Sequence, residues 1–198
     1  MTQWTSTVRN TLSRGIFPHQ VSFLLELSLR NLLLSPRKLV ARLPLATANY
    51  VLEVGAGSGF YSLEVARRMS SGQLELFDIQ GEMLKKARQK VEAKSLSKGV
   101  GYTLGDARKL PFLSNSFDLI YLIAVLGEIS DPPAFLREAQ RVSTPGGILS
   151  ISEHLPDPDF SRFPDVKSLV ENEGFHLITH HGSWWTYTAN FKKCEAKH

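Results

Sequence analysis

The chain has 198 residues, 42% of them hydrophobic and 21% charged, enough for one globular domain with a sizeable core and no second one. A single cysteine, Cys194, excludes an intrachain disulfide and a cysteine-rich metal site and suits a reducing, cytoplasmic setting. The formal charge of +4 is scattered over short groups such as Arg67-Arg68, Lys85-Lys86 and Lys192-Lys193, which reads as solvated surface and not as the continuous basic stripe of a nucleic-acid interface.

Residues 1 to 20 lack the basic cap, apolar core and cleavage site of a signal peptide, so none is expected. Val21 to Leu34 follows a helical pattern, with Ser22, Glu26 and Arg30 in one polar row and Leu24, Leu25, Leu29 and Leu32 on a wide apolar face. As a helix it would reach ~21 Å, short of the ~30 Å hydrocarbon core of a bilayer. It is read as packing on the sheet with a partial lid, and a peripheral touch on a bilayer surface is the remaining option. Ser35-Pro36 then predicts an N-cap and first helical residue of a short helix to Leu43, completing a helical cap over residues 1–45 on a core of residues 46–198.

From Tyr50 the pattern alternates. The apolar run Tyr50 to Val54 predicts a strand, a glycine turn follows, then a helix over Tyr61 to Met69 and a strand over Leu74 to Phe77. Next come a helix near Glu82 to Lys94, a strand Val100 to Leu104, a loop through Pro111 and a strand Phe117 to Ile123. Asp131 caps a helix from Pro132 to Val142, Thr144-Pro145-Gly146-Gly147 stops it, and Ile148 to Ser152 forms another strand. A helix Asp165 to Asn172 ends at Gly174, after which Phe175 to His180 and Trp185 to Phe191 flank a turn at Gly182-Ser183. The class is therefore α/β: a mostly parallel seven-stranded sheet with a C-terminal antiparallel hairpin strand, whose ligands bind beyond the carboxyl ends of the strands.

The segment VLEVGAGSGF puts Glu53 near the end of the first strand and Gly55, Gly57 and Gly59 between that strand and a helix. Glycines let the backbone turn tightly and come close to a ligand, and the helix N-terminus beyond them favours an anionic group. A dinucleotide fingerprint would need glycine at position 60, where Phe60 stands. The stretch instead resembles the first motif of the class I S-adenosylmethionine methyltransferases, in particular the type 11 methyltransferase group, whose form is (E/D)-x-G-x-G-x-G. The resemblance covers roughly Tyr50 to Glu153 and implies a Rossmann-like, doubly wound fold with S-adenosylmethionine as cofactor.

By the same resemblance Asp78, closing the strand LELFD, accepts hydrogen bonds from both ribose hydroxyls, and Ile79 packs on the adenine. In GDARKLPF, Asp106 receives the adenine amino group and Ala107 offers backbone contact. Glu53 either touches the cofactor or supports the glycine loop. Ile123 to Leu126 line the methionine end, Gly127-Glu128 face the acceptor, and Glu153 and His154 leave the fifth strand at its binding end.

Methyl transfer is an in-line displacement, so positioning and water exclusion come first and a dedicated base is optional. Glu128 and Glu153 are the candidates for that base, against ordinary roles as a helix cap and a solvated carboxylate. His19, His176, His180, His181 and His198 show no metal-ligand spacing, and no metal is expected. Trp184, Trp185, Tyr187 and Phe191 are read mostly as core. Asp131-Pro132-Pro133-Ala134 lies too late and lacks the aromatic residue of amino-adenine methylating enzymes, and a lone peripheral cysteine excludes pyrimidine C5 and arsenite methylation. The resemblance leaves a small acceptor, with a hydrophobic quinone precursor or lipid-like metabolite as the expectation. RNA or protein methylation and non-catalytic cofactor binding are the alternatives.

Overall fold

The computed structural model describes residues 35–69, 71–155 and 157–194. The expected helix Val21 to Leu34, and with it most of the cap, lies outside them, as do His19 and His198.

Ser35 stands at the N-cap of α1 (Pro36–Val40) without a side-chain capping bond, and Pro36 fits the first turn, where its missing N–H costs nothing. The helix closes before the expected Leu43. Arg42 and Leu43 instead donate their N–H groups to the carbonyls of Leu39 and Val40 in a tightened turn. Seven strands follow: β1 (Tyr50–Val54), β2 (Gln73–Asp78), β3 (Val100–Leu104), β4 (Phe117–Ile123), β5 (Ser143–His154), β6 (Phe175–Ser183) and β7 (Thr186–Lys193). Between them lie α2 (Ser62–Arg68), α3 (Gly81–Ala93), α4 (Pro132–Val142) and α5 (Phe163–Asn172). They form one sheet in the order β3-β2-β1-β4-β5-β7-β6, with β1 to β5 parallel and β7 antiparallel to both its neighbours.

Both faces of this sheet are covered because the central strands are apolar on both sides. Val51 of β1 and Leu119, Tyr121 and Ile123 of β4 pack with Leu39, Val65, Leu84 and Ala87 under α1, α2 and α3. Leu52, Val54, Ile120 and Leu122 point the other way, onto Phe135, Leu136 and Ala139 of α4 and Val166 and Val170 of α5. The period of two within each strand thus sorts one apolar run into two cores. Asp131 accepts the Ala134 N–H at 3.0 Å and starts α4 as the sequence predicts. From β1 the chain winds outward to β3, then returns with β4 on the other side of β1, so the winding reverses between β1 and β4. In such sheets the crevice beyond the strand ends at that reversal is where ligands bind.

Among the other boundaries that differ from the sequence reading, three have a clear local cause. α5 begins at Phe163, two residues early, because Pro164 is accommodated in its first turn. β5 begins at Ser143: Ser143 pairs with Phe117 and Ile148 with Leu119, so Thr144 to Gly147 bulge out between two paired stretches of one strand, with Gly146 at φ 74°. The hairpin turns at Trp184-Trp185, and Gly182 is a bend inside β6 at φ 117°. Tyr187 and Phe191 are core residues as expected, but Trp184 is 80% exposed, since the turn carries it away from the sheet.

Candidate functional site

Each glycine after β1 is required for a different reason. All three have positive φ, 72° at Gly55, 53° at Gly57 and 79° at Gly59, a conformation that costs a side-chain-bearing residue roughly 1–2 kcal/mol. A Cβ on Gly55 would lie 2.5 Å from Val125 Cγ2, so this position admits the loop that leaves β4. A Cβ on Gly59 would lie 3.0 Å from Ala87 Cβ, so here α3 packs against the turn. A Cβ on Gly57 would meet nothing within 4 Å among the described residues. That space lies at the winding reversal and is bordered by the backbone of the glycine turn.

Asp78, at the end of β2, closes one side of it. Oδ2 accepts the Gly57 N–H at 2.8 Å and Oδ1 accepts the Gln80 N–H at 2.8 Å, so the carboxylate is fixed in one orientation at 6% exposure. The Ile79 N–H bonds the carboxylate as well, and of its about four acceptor sites one is left for a ribose hydroxyl. Burial raises the Asp78 pKa, and the backbone N–H bonds work against that rise. Ile79 follows with half its surface exposed, and Leu104, paired with Asp78 across β2 and β3, is exposed as well. The sequence reading names Ile79 and misses Leu104, whose signal was its place as the last residue of β3.

Glu53 stands next to the last residue of β1. It is buried, accepts the Ser62 hydroxyl at the start of α2, and faces Tyr121 across the β1–β4 ladder. Burial, and after it the charge of Glu53, pushes the Tyr121 phenol well up. Asp106 lies in the loop after β3, half exposed. Arg108 Nε bonds both its oxygens at 3.0 Å and the Arg108 N–H bonds Oδ1 at 2.9 Å, which holds the carboxyl below its usual range. Ala107 beside it packs against the α4/α5 core.

The ends of β4 and β5 form a second group. Ala124, just past β4, sits at φ 55°, an uncommon conformation for a side-chain-bearing residue, held by its N–H bond to the Ser152 carbonyl at 2.8 Å. A short 3₁₀ turn, Leu126–Glu128, follows, with Glu128 exposed. A Cβ on Gly127 would lie 2.0 Å from the Asp159 carbonyl oxygen, so the segment after β5 packs directly on the segment after β4.

Glu153, expected as a solvated carboxylate, is 1% exposed. It lies opposite Tyr187 across β5 and β7 and accepts the Ser161 N–H, while its Oε1 has no hydrogen-bond partner among the described residues. Burial first, then the charges of Asp157, Glu128 and Asp159, raise its pKa to about 8. The Tyr187 hydroxyl donates to the Ser161 carbonyl at 2.8 Å, and the Leu155 N–H donates to the Trp185 carbonyl at 2.8 Å. Both ends of the segment after β5 are therefore tied to the hairpin. Nothing in the local sequence marks Asp157, Asp159, Ser161 or Tyr187 as neighbours of Glu153.

Among the described residues no group of three or more His, Cys, Asp or Glu side chains is placed to hold a metal ion, and no helix is long and apolar enough to cross a membrane.

Residues 52–151 match the family model for a methyltransferase domain. The ubiquinone/menaquinone biosynthesis C-methyltransferase UbiE of Dinoroseobacter shibae is 32% identical over 123 residues, 61% of this chain and 49% of that protein. UbiE of Cellvibrio japonicus is 37% identical over 108 residues, 54% of this chain and 43% of that protein. The chain thus spans about half the length of the curated relatives it matches. Among solved structures, a SAM-dependent methyltransferase from Aquifex aeolicus superposes with a TM-score of 0.80 at 24% identity, over 90% of this chain and all of that one. The cyclase SpnF superposes at 0.72 with 20% identity over 80% of each chain. At these identities the two structures establish the fold, a Rossmann-like methyltransferase architecture.

Proposed function

The chain belongs to the methyltransferase domain family, whose cofactor is S-adenosylmethionine, and from that membership we propose that it transfers the cofactor's methyl group to a small hydrophobic acceptor. The observation that carries this reading is the space at Gly57, bordered by backbone at positive φ, beside a buried carboxylate with an acceptor site to spare. A nucleoside with a free cis-diol fits that donor and acceptor set. The exposed apolar Ile79 and Leu104 fit its flat base, and Asp106 with Ala107 fit the base's polar edge. Gly55 and Gly59 keep the loop in shape, and Glu53 supports it through Ser62.

Bound S-adenosylmethionine supplies an electrophilic methyl group on a positively charged sulfur. The chain's own residues then have to hold an acceptor in line with that methyl, keep water out and take up a proton. For the proton, Glu153 is better placed than Glu128. It is buried at the end of β5 with one oxygen unengaged among the described residues, and its pKa of about 8 lies near a working pH, whereas Glu128 is open to solvent. A hydrophobic acceptor is favoured by the quinone chemistry that the names of the UbiE relatives record.

Calorimetric titration with S-adenosylmethionine and, separately, with NAD tests the cofactor, with Asp78→Ala as control. Binding of the first alone, lost in the variant, is expected; preference for NAD overturns the reading. Transfer itself is tested by following a labelled methyl group into a quinol acceptor, which matters because a cyclase shares the fold.

A further inference from the structure

The segments after β4 and β5 carry charge of one sign toward one buried group. Glu128 comes from the first, Asp157 and Asp159 from the second, and all three act on Glu153 with the effect of like charges. They have little freedom to swing apart. The Asp159 backbone is pressed against Gly127, Asp157 Oδ1 accepts the Asp159 N–H at 2.9 Å, and the Tyr187 bond to Ser161 holds the far end of the second segment. Within this ring sits the Glu153 Oε1, at 1% residue exposure, with no partner among the described residues. A buried polar atom left without a hydrogen bond is costly, so it points to a donor that arrives with a ligand.

We propose that this wall selects acceptors by charge: the molecule methylated offers a hydroxyl or other donor to Glu153 and carries no carboxylate or phosphate of its own. The proposal rests on the methyl-transfer reading above and narrows its acceptor class. An anionic group brought among these carboxylates meets like charges in a partly desolvated site, where their repulsion is poorly screened. A neutral phenol meets no such penalty and can lie against the partly buried Phe160, whose ring meets that of the buried Tyr187 edge to face at 6.2 Å.

The test uses the chain saturated with S-adenosylhomocysteine and titrates it with two probes, naphthol and its carboxylated analogue hydroxynaphthoate, near pH 7. Naphthol is expected to bind about tenfold tighter or more. In the near-isosteric double variant Glu128→Gln with Asp159→Asn, hydroxynaphthoate is expected to gain affinity so that the ratio falls toward one. Equal affinities in the unaltered chain, a ratio that the double variant does not move, or binding of neither probe would each overturn the proposal. Failure of S-adenosylhomocysteine itself to bind brings down the methyl-transfer reading instead, and the saturation step reads that outcome separately.

Discussion

The carboxyl ends of β1 and β2 and those of β4 and β5 are neighbours in one sheet but are built by different means. At β1 and β2 the backbone does the shaping: three positive-φ glycines and a carboxylate locked by three N–H groups within a 28-residue stretch, 53 to 80. At β4 and β5 the shaping comes from distant segments meeting. Glu153 is placed by Ser161 and Tyr187, and Gly127 by Asp159. The first site has its polar groups bonded before any ligand arrives, whereas the second retains a buried oxygen without a partner among the described residues. On the proposed function, one end is preorganised for a cofactor of fixed structure and the other is left to be completed by a variable acceptor.

The largest expected effect comes from Asp78→Ala. It removes the acceptor for Gly57 and Gln80 as well as for a diol, and a loss of about 100-fold in S-adenosylmethionine affinity is expected by calorimetry. Unchanged affinity would break the assignment of β2 to the cofactor. The glycines sharpen the comparison within that half. Gly55→Ala combines positive φ with a clash on Val125 and should lower stability by about 2–4 kcal/mol in urea melts. Gly57→Ala, whose Cβ meets nothing within 4 Å among the described residues, should cost only about 1–2 kcal/mol of stability while sharply weakening cofactor binding. If both variants lose stability equally, the space at Gly57 is not open.

On the β5 side, Glu153 gives a pH signature. Below about pH 4.5 it is protonated in folded and unfolded chain alike. Between there and about pH 8 the unfolded carboxyl ionises while the buried one stays neutral, so stability falls as pH rises and levels off above pH 8. Glu153→Gln should remove a few kcal/mol of this slope, making the variant the more stable of the two at pH 9. The rate of transfer should show the opposite trend in the unaltered chain, rising through about pH 8 as the base form appears, and should lose that rise in the variant. The smallest effect belongs to Tyr187→Phe. It removes the hydroxyl bond to Ser161 and should cost about 1 kcal/mol in thermal melts, with a larger proportional effect on acceptor than on cofactor affinity.

The same division explains what could be read from the sequence. Strand and helix order was legible because period-two apolar runs, Asp131 before Pro132, and the glycine triplet are local signals. The glycine turn around Gly57 followed from one contiguous motif, and Asp78 from the resemblance that picked out the end of LELFD. The burial of Glu153 did not, since it depends on Tyr187 from a strand 34 residues later and on a loop that folds back over it. The Ser143 start of β5 escaped because a bulge hides strand pairing behind a Pro-Gly-Gly turn. Trp184 was misplaced because the hairpin turns two residues later than its Gly-Ser pair suggests, which puts Trp184 in the turn itself.

The position of β7 also constrains how the chain can be made. β5 gains its second neighbour only when Thr186 to Lys193 slides between it and β6, both of which precede it in the chain. A ribosome that has released β5 but not β7 therefore presents an unpaired edge through Ile148, Leu149 and Ile151, the kind of edge that recruits another chain. Slow or interrupted synthesis before residue 186 should thus yield aggregates.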